Sequence, residues 1–217
     1  MRSPFLMLPL AVALAAGCAK DPAAPVAAPV AEKPAAAVNT VSRSHDESSY
    51  AEPDKVVIKD LALDLKVDFE QKQIGGTATY ALEWKDKAAR QLVLDTRELT
   101  IAKVEALAAD GAATALQFEL APADKVFGSK LTIQAPEQPA SVRITYHTAP
   151  TASGLQWLEP SMTEGKKLPF MFSQSQAIHA RSWVPLQDTP SVRFTYSAHV
   201  ASRPDVMVLM SADNNPK

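Results

Sequence analysis

The strongest order in this chain is an alternation of apolar and polar side chains. Leu61, Leu63, Leu65, Val67 and Phe69 are separated by Ala62, Asp64, Lys66 and Asp68. A period of two puts the large side chains on one face of a strand. Glu70-Gln71-Lys72-Gln73 reads as a polar turn, and Ala78, Tyr80, Leu82 and Trp84 then alternate with Thr77, Thr79, Ala81 and Glu83. The pair predicts an antiparallel hairpin, with a bulge at Gly75-Gly76. Leu92-Val93-Leu94 has the continuous apolar character of a strand covered on both faces. Asp110-Gly111 marks a turn before Leu116, Phe118 and Leu120. Further alternating sets are Leu131 with Ile133, Val142 with Ile144 and Tyr146, Val192 through Val200, and Val206 with Val208 and Met210. Ile101 to Ala109 is ambiguous, but Thr100, Ile101 and Val104 favour a strand. No convincing amphipathic helix follows residue 17. Short strands joined by polar turns predict an all-β, antiparallel sandwich or curved sheet.

Ahead of that body the pattern changes twice. Residues 1–17 hold one basic residue, Arg2, and an apolar run from Phe5 to Leu14. The run is too short for a permanent membrane helix and fits a secretory leader. Its exit, Leu14-Ala15-Ala16-Gly17-Cys18, has the small residues and following Cys of a bacterial lipoprotein signal. On that reading Cys18 is lipidated and holds the protein to a membrane; ordinary cleavage near Ala15 would instead leave a soluble periplasmic protein. Residues 18–53 are rich in Ala and Pro, with few large apolar groups, and predict a disordered, semi-extended tether. Residues 54–217 form the predicted β domain, expected to be incomplete at its C-terminus.

Composition narrows the function. The 217 residues carry a net charge of −2, which argues against nucleic-acid binding. One Cys excludes a disulfide framework or a multi-Cys zinc site. No two of the four His are spaced i, i+4. His45-Asp46-Glu47 is compact in sequence, but adjacent residues in a tether are badly placed to close a coordination sphere. No Gly-x-Ser-x-Gly elbow and no compelling Ser/His/Asp set is present.

Candidate chemistry gathers after Thr151. Gly154-Leu155-Gln156-Trp157-Leu158 leads through Phe170-Met171-Phe172 to Ser173-Gln174-Ser175-Gln176-Ala177-Ile178-His179. If that last run is a strand, Gln174 and Gln176 share a face. Paired amides can donate to and accept from a peptide backbone or an amino terminus. Spacing alone favours a solvated polar face over a binding site. His179 reads as a hydrogen-bonded structural residue, and Asp188 as the cap of the turn around Pro190.

These stretches, with Pro185-Leu186-Gln187-Asp188-Thr189-Pro190-Ser191-Val192, Thr195-Tyr196 and Leu92-Val93-Leu94-Asp95-Thr96, resemble the N-terminal β domain of zinc aminopeptidases of the leukotriene A4 hydrolase and aminopeptidase N type. The resemblance covers roughly residues 56 to 212. It implies a saddle-shaped β domain that precedes a zinc-bearing catalytic domain. It implies that Gln176 binds the amino end of a peptide substrate, that Gln174 supports the same pocket and that Ala177 lies along its wall. The His-Glu-x-x-His zinc motif and the Gly-x-Met-Glu-Asn strand of such enzymes are absent from these 217 residues. The expectation is therefore a chain that contributes substrate-binding amides to a secreted aminopeptidase, has no zinc or catalytic base of its own, and is inactive alone. The alternative is a non-catalytic envelope lipoprotein module that binds a peptide or protein partner.

Overall fold

The computed structural model describes residues 46–215. The leader, Cys18 and most of the tether lie outside the described residues. Strand β1 (Val56–Asp68) pairs antiparallel with β2 (Gln73–Trp84), in register from Val56 opposite Trp84 to Asp68 opposite Gln73. Next come β3 (Gln91–Thr96), β4 (Thr100–Leu107), β5 (Ala113–Ala115), β6 (Phe118–Leu120), β7 (Ser129–Gln134) and β8 (Ser141–His147). The ribbon strands β9 (Leu155–Leu158) and β10 (Phe170–Ser173) follow, and β11 (Thr195–Ala201) closes the order. They assemble into a six-stranded sheet in the order β11-β1-β2-β8-β4-β5, a three-stranded sheet β3-β7-β6 and the two-stranded ribbon β10-β9. The only helical turns among the described residues are two 3-10 segments, Pro160–Met162 and Ala180–Ser182.

Both larger sheets feed one core. Leu61, Leu63, Leu65, Ala78, Tyr80, Val142 and Ile144 from the six-stranded sheet cluster with Leu92, Leu94, Leu131 and Ile133 from the three-stranded one. The alternation thus names the inward face strand by strand, because a one-residue slip would turn every large side chain to water. One bulge is visible in that logic. Val56 and Ile58 are buried at even positions, Leu61 to Val67 at odd ones, and the extra residue Lys59 resets the phase. A second irregularity lies at Ala102 in β4. Gly75 and Gly76, where a bulge is expected, instead pair regularly with both β1 and β8. Gly76 serves close approach: at φ +149°, a Cβ there would sit 2.1 Å from the Asp64 carbonyl oxygen.

Three other expectations change. The sheets are antiparallel throughout except for β11, which runs parallel to β1 (Asp60 opposite Thr195, Lys66 opposite Ala201). The long excursion through the β9–β10 ribbon supplies the crossover that a parallel pair needs. Val206 to Met210 keeps alternating exposure but forms no strand. It follows a turn at Pro204-Asp205 that is held by the two-point ion pair from Arg203 to Asp205 (2.5 and 2.9 Å), and it pairs with none of the described strands. Finally, Asp46 to Pro53, assigned by composition to the tether, packs on the domain. Ser49 and Ala51 are buried, the Ser49 hydroxyl donates to Asp95 Oδ2 (2.5 Å) and the Tyr50 N–H donates to Asp95 Oδ1 (2.7 Å).

Candidate functional site

The ribbon builds one wall of a hollow of about 360 Å³. In it Phe172 lies directly opposite Gln156, and Phe170 opposite Leu158. Opposed residues share a face, so Gln156, Phe172 and Phe170 project together, with the two phenyl rings 6.0 Å apart. The ribbon is fastened from behind. Trp157 packs edge-on against Phe69 at 5.5 Å, and Lys72 pairs with Glu159 at 2.8 Å.

The second wall is a turn. β10 stops at Ser173, and the following residues fold so that the His179 N–H donates to the Ser175 carbonyl (2.9 Å). Gln174 and Gln176 are therefore not on a strand face, which corrects the periodicity reading. Local hydrogen bonds outcompete the ladder here. Trp183 Nε1 donates to Ser175 Oγ (3.1 Å), and the Gln176 N–H donates to Gln174 Oε1 (3.3 Å). Both carboxamides are exposed and both line the hollow, together with Ser153, Gly154, Leu155, Gln156, Phe172 and His179. Ala177 is exposed and is not among the lining residues. The Gln174 N–H donates to the Gly154 carbonyl (2.8 Å), which locks the turn against the base of the ribbon. Gly154 is required at that junction: a Cβ would lie 2.6 Å from the His179 carbonyl oxygen and 2.8 Å from Ser182 Oγ.

Behind the turn sits a buried charged network. Arg181 is fully buried; it donates through Nε to Asp188 Oδ2 (3.0 Å), through Nη1 to the Phe127 carbonyl (2.9 Å) and through Nη2 to the Ser48 carbonyl (2.8 Å). Asp95, also fully buried, lies 3.6 Å from Arg181 Nη1 and accepts the Asp188 N–H at 3.0 Å. Burial pushes the Asp95 carboxyl above its ordinary value, and the Ser49 hydroxyl, the Tyr50 N–H and Arg181 pull it back. Asp188 thus acts as a partner of buried Arg181, a larger role than capping its own turn. Gln187 works beside it: its carboxamide accepts the Ile58 N–H (3.0 Å) and donates to the Val56 carbonyl (2.8 Å), standing in for a strand partner at the head of β1.

Among the described residues no three of His, Cys, Asp and Glu come together as a metal set, so the donors here do not fit a zinc ion. The arrangement supplies amide and imidazole hydrogen-bonding groups beside an aromatic wall. It has the means to bind and orient a polar chain end.

The model of the peptidase M1 N-terminal domain family matches residues 46–216. The chain belongs to this family. It is similar to leukotriene A-4 hydrolase of Xenopus laevis, 40% identical over 172 residues that cover 77% of this chain and 27% of that protein. It is also similar to leucine aminopeptidase 2 of Yarrowia lipolytica, 40% identical over 141 residues that cover 64% of this chain and 21% of the other. Among solved structures, yeast LTA4 hydrolase in complex with bestatin superposes with a TM-score of 0.70 at 31% identity, over 82% of this chain and 28% of that one. The chain spans about a quarter of the length of these relatives. Its all-β, open and curved architecture is that of the M1 N-terminal domain.

Within this M1 domain, sequence reasoning singled out two of the lining residues, Gln174 and Gln176, and passed over Ser153, Gln156, Phe172 and His179 as parts of a site. The available signal was the polar Gln156 between Leu155 and Trp157, on a strand whose pairing partner already carried two Phe. Seeing it required the register of a ribbon whose strands are separated by residues 159–169.

Proposed function

We propose that this domain binds the amino end of a peptide on behalf of a secreted zinc-dependent aminopeptidase that removes N-terminal residues. In this reading Gln174 and Gln176 accept hydrogen bonds from the substrate ammonium through their carboxamide oxygens, Ala177 stands at the margin, and Phe172 offers an apolar surface to the first side chain. Zinc and the general base belong to a catalytic domain outside these residues. When bound there, the metal supplies an activated water for attack on the scissile carbonyl. The leader and Cys18 would place the protein at the bacterial envelope on the periplasmic side through a lipid anchor.

One observation carries the reading. Two exposed carboxamides, with Gln174 Oε1 accepting the Gln176 backbone N–H, line a hollow walled by Gln156 and Phe172. Its relatives are named for hydrolase and aminopeptidase activities. The test is turnover of a chromogenic amino-acid amide by the purified 217-residue chain, with and without added zinc. No turnover is expected under either condition. Sustained turnover that follows the protein through purification would overturn the assignment of catalysis to another domain.

A further inference from the structure

We propose that His179 is a third peptide-binding group of the hollow, whose Nε2–H donates to a backbone carbonyl of the bound chain. The proposal rests on the reading of the hollow as a peptide site and adds a donor to it. Arg97 Nη1 lies 3.2 Å from His179 Nδ1 and 3.1 Å from Ser153 Oγ, and Ser153 Oγ lies 2.8 Å from the same imidazole nitrogen. A guanidinium has only donors, so the Nδ1 it meets must accept. That nitrogen has one lone pair, which the Ser153 hydroxyl fills at 2.8 Å while itself accepting from Arg97 Nη1, so the ring proton belongs on Nε2, a tautomer assigned from these partners.

The ring is held in place. Arg97 Nη2 donates to the Val126 carbonyl, and the Arg97 N–H donates to the Arg181 carbonyl at 2.8 Å. On the His179 backbone, the carbonyl accepts Ser182 Oγ (2.7 Å) and the N–H donates to Ser175. No protein group among the described residues takes the Nε2 proton, and the half-buried ring lines the hollow. An amino-terminal residue of a peptide presents two needs: acceptors for its ammonium and a donor for its carbonyl. The carboxamide oxygens of Gln174 and Gln176 meet the first, and a fixed Nε2–H meets the second. The Ser153–His179 contact does not form a nucleophile–base pair. The nitrogen that Ser153 meets lies against the Arg97 cation, and no carboxylate among the described residues orients the ring.

The experiment uses the 217-residue chain and trialanine amide as probe. Long-range proton–nitrogen NMR of the imidazoles, with His179 assigned through His179→Gln, is expected to show the Nε2–H tautomer. On titration the Nε2–H resonance is expected to move downfield. His179→Phe is expected to weaken binding about tenfold, the loss of one hydrogen bond to a buried carbonyl. His179→Gln, which keeps a donor near the same place, is expected to stay within about threefold of the wild type. An Nδ1–H tautomer overturns the proposal. So does a His179→Phe variant that binds as the wild type does while Gln176→Ala weakens binding; that result leaves the hollow itself standing as the site. Absence of any saturable binding by the wild type overturns both readings. If His179→Phe fails to fold, the wild-type Nε2–H shift decides alone.

Discussion

The six-stranded sheet and the ribbon-and-turn region that carries the hollow are held together by different physics. In the sheet, Leu61, Leu63, Leu65, Ile144 and their neighbours contribute by apolar burial, a term proportional to area that tolerates exchange among side chains of similar size. Around the hollow the decisive contacts are directional: Arg181 to Asp188 and to three backbone carbonyls, Gly154 against the His179 carbonyl, and Ser182 to the Gly154 N–H (2.8 Å). A region fixed by geometry can present amides that are exposed yet positioned. The difference teaches that the scaffold should be robust to conservative change and the site region brittle.

The largest effect is expected from Arg181→Leu. It leaves buried Asp95 and half-buried Asp188 without their cation, and breaking such a network costs roughly 3–5 kcal/mol. A shift of that size in chemical denaturation is the check; a loss below about 1 kcal/mol would make the network incidental. Gly154→Ala comes next, at roughly 1–3 kcal/mol, because the methyl group must displace the His179 carbonyl. Its signature is a perturbed Gln174–His179 turn with the sheet amide resonances unmoved. Gln176→Ala should separate binding from folding. Stability should change by no more than about 0.5 kcal/mol, since the side chain is exposed, while peptide binding weakens by on the order of 1–3 kcal/mol. Equal losses in both would remove the distinction between the two regions.

The smallest effect tests the sheet. Lys103 (2.6 Å) and Arg143 (3.0 Å) hold the Glu105 carboxyl below its ordinary value of 4.5. A depressed acid contributes stability that is present above its unfolded pKa and lost as pH falls through the folded one. Stability should therefore fall as pH drops below about 4.5, and this part of the fall should vanish in Glu105→Gln. Identical acid profiles for the two proteins would remove Glu105 from the account.

How much of this was legible in the sequence follows the same division. Periodicity exposes a fold made by apolar alternation, so β1, β2, β7 and β8 could be read from their own residues. It fails where a structure depends on distant partners. Val206 to Met210 alternates like a strand but pairs with none of the described strands. Lys59, a bulge that only the parity change between Ile58 and Leu61 betrays, escaped notice while Gly75-Gly76 drew attention. Gln174 and Gln176 do reach one hollow, but a turn brings them there instead of the expected strand face. The support beneath them joins Ser48, Asp95, Phe127 and Arg181, groups separated by up to 133 residues. No local pattern encodes such a meeting.

The central claim is that the Gln174–Gln176 hollow receives a free amino end. It is tested most directly by isothermal titration of the 217-residue chain with trialanine amide and with its N-acetyl twin. The account predicts saturable binding of the free amine, no measurable binding of the acetylated peptide, and loss of the difference in Gln176→Ala. Equal affinity for both peptides, unaffected by Gln176→Ala, would contradict it.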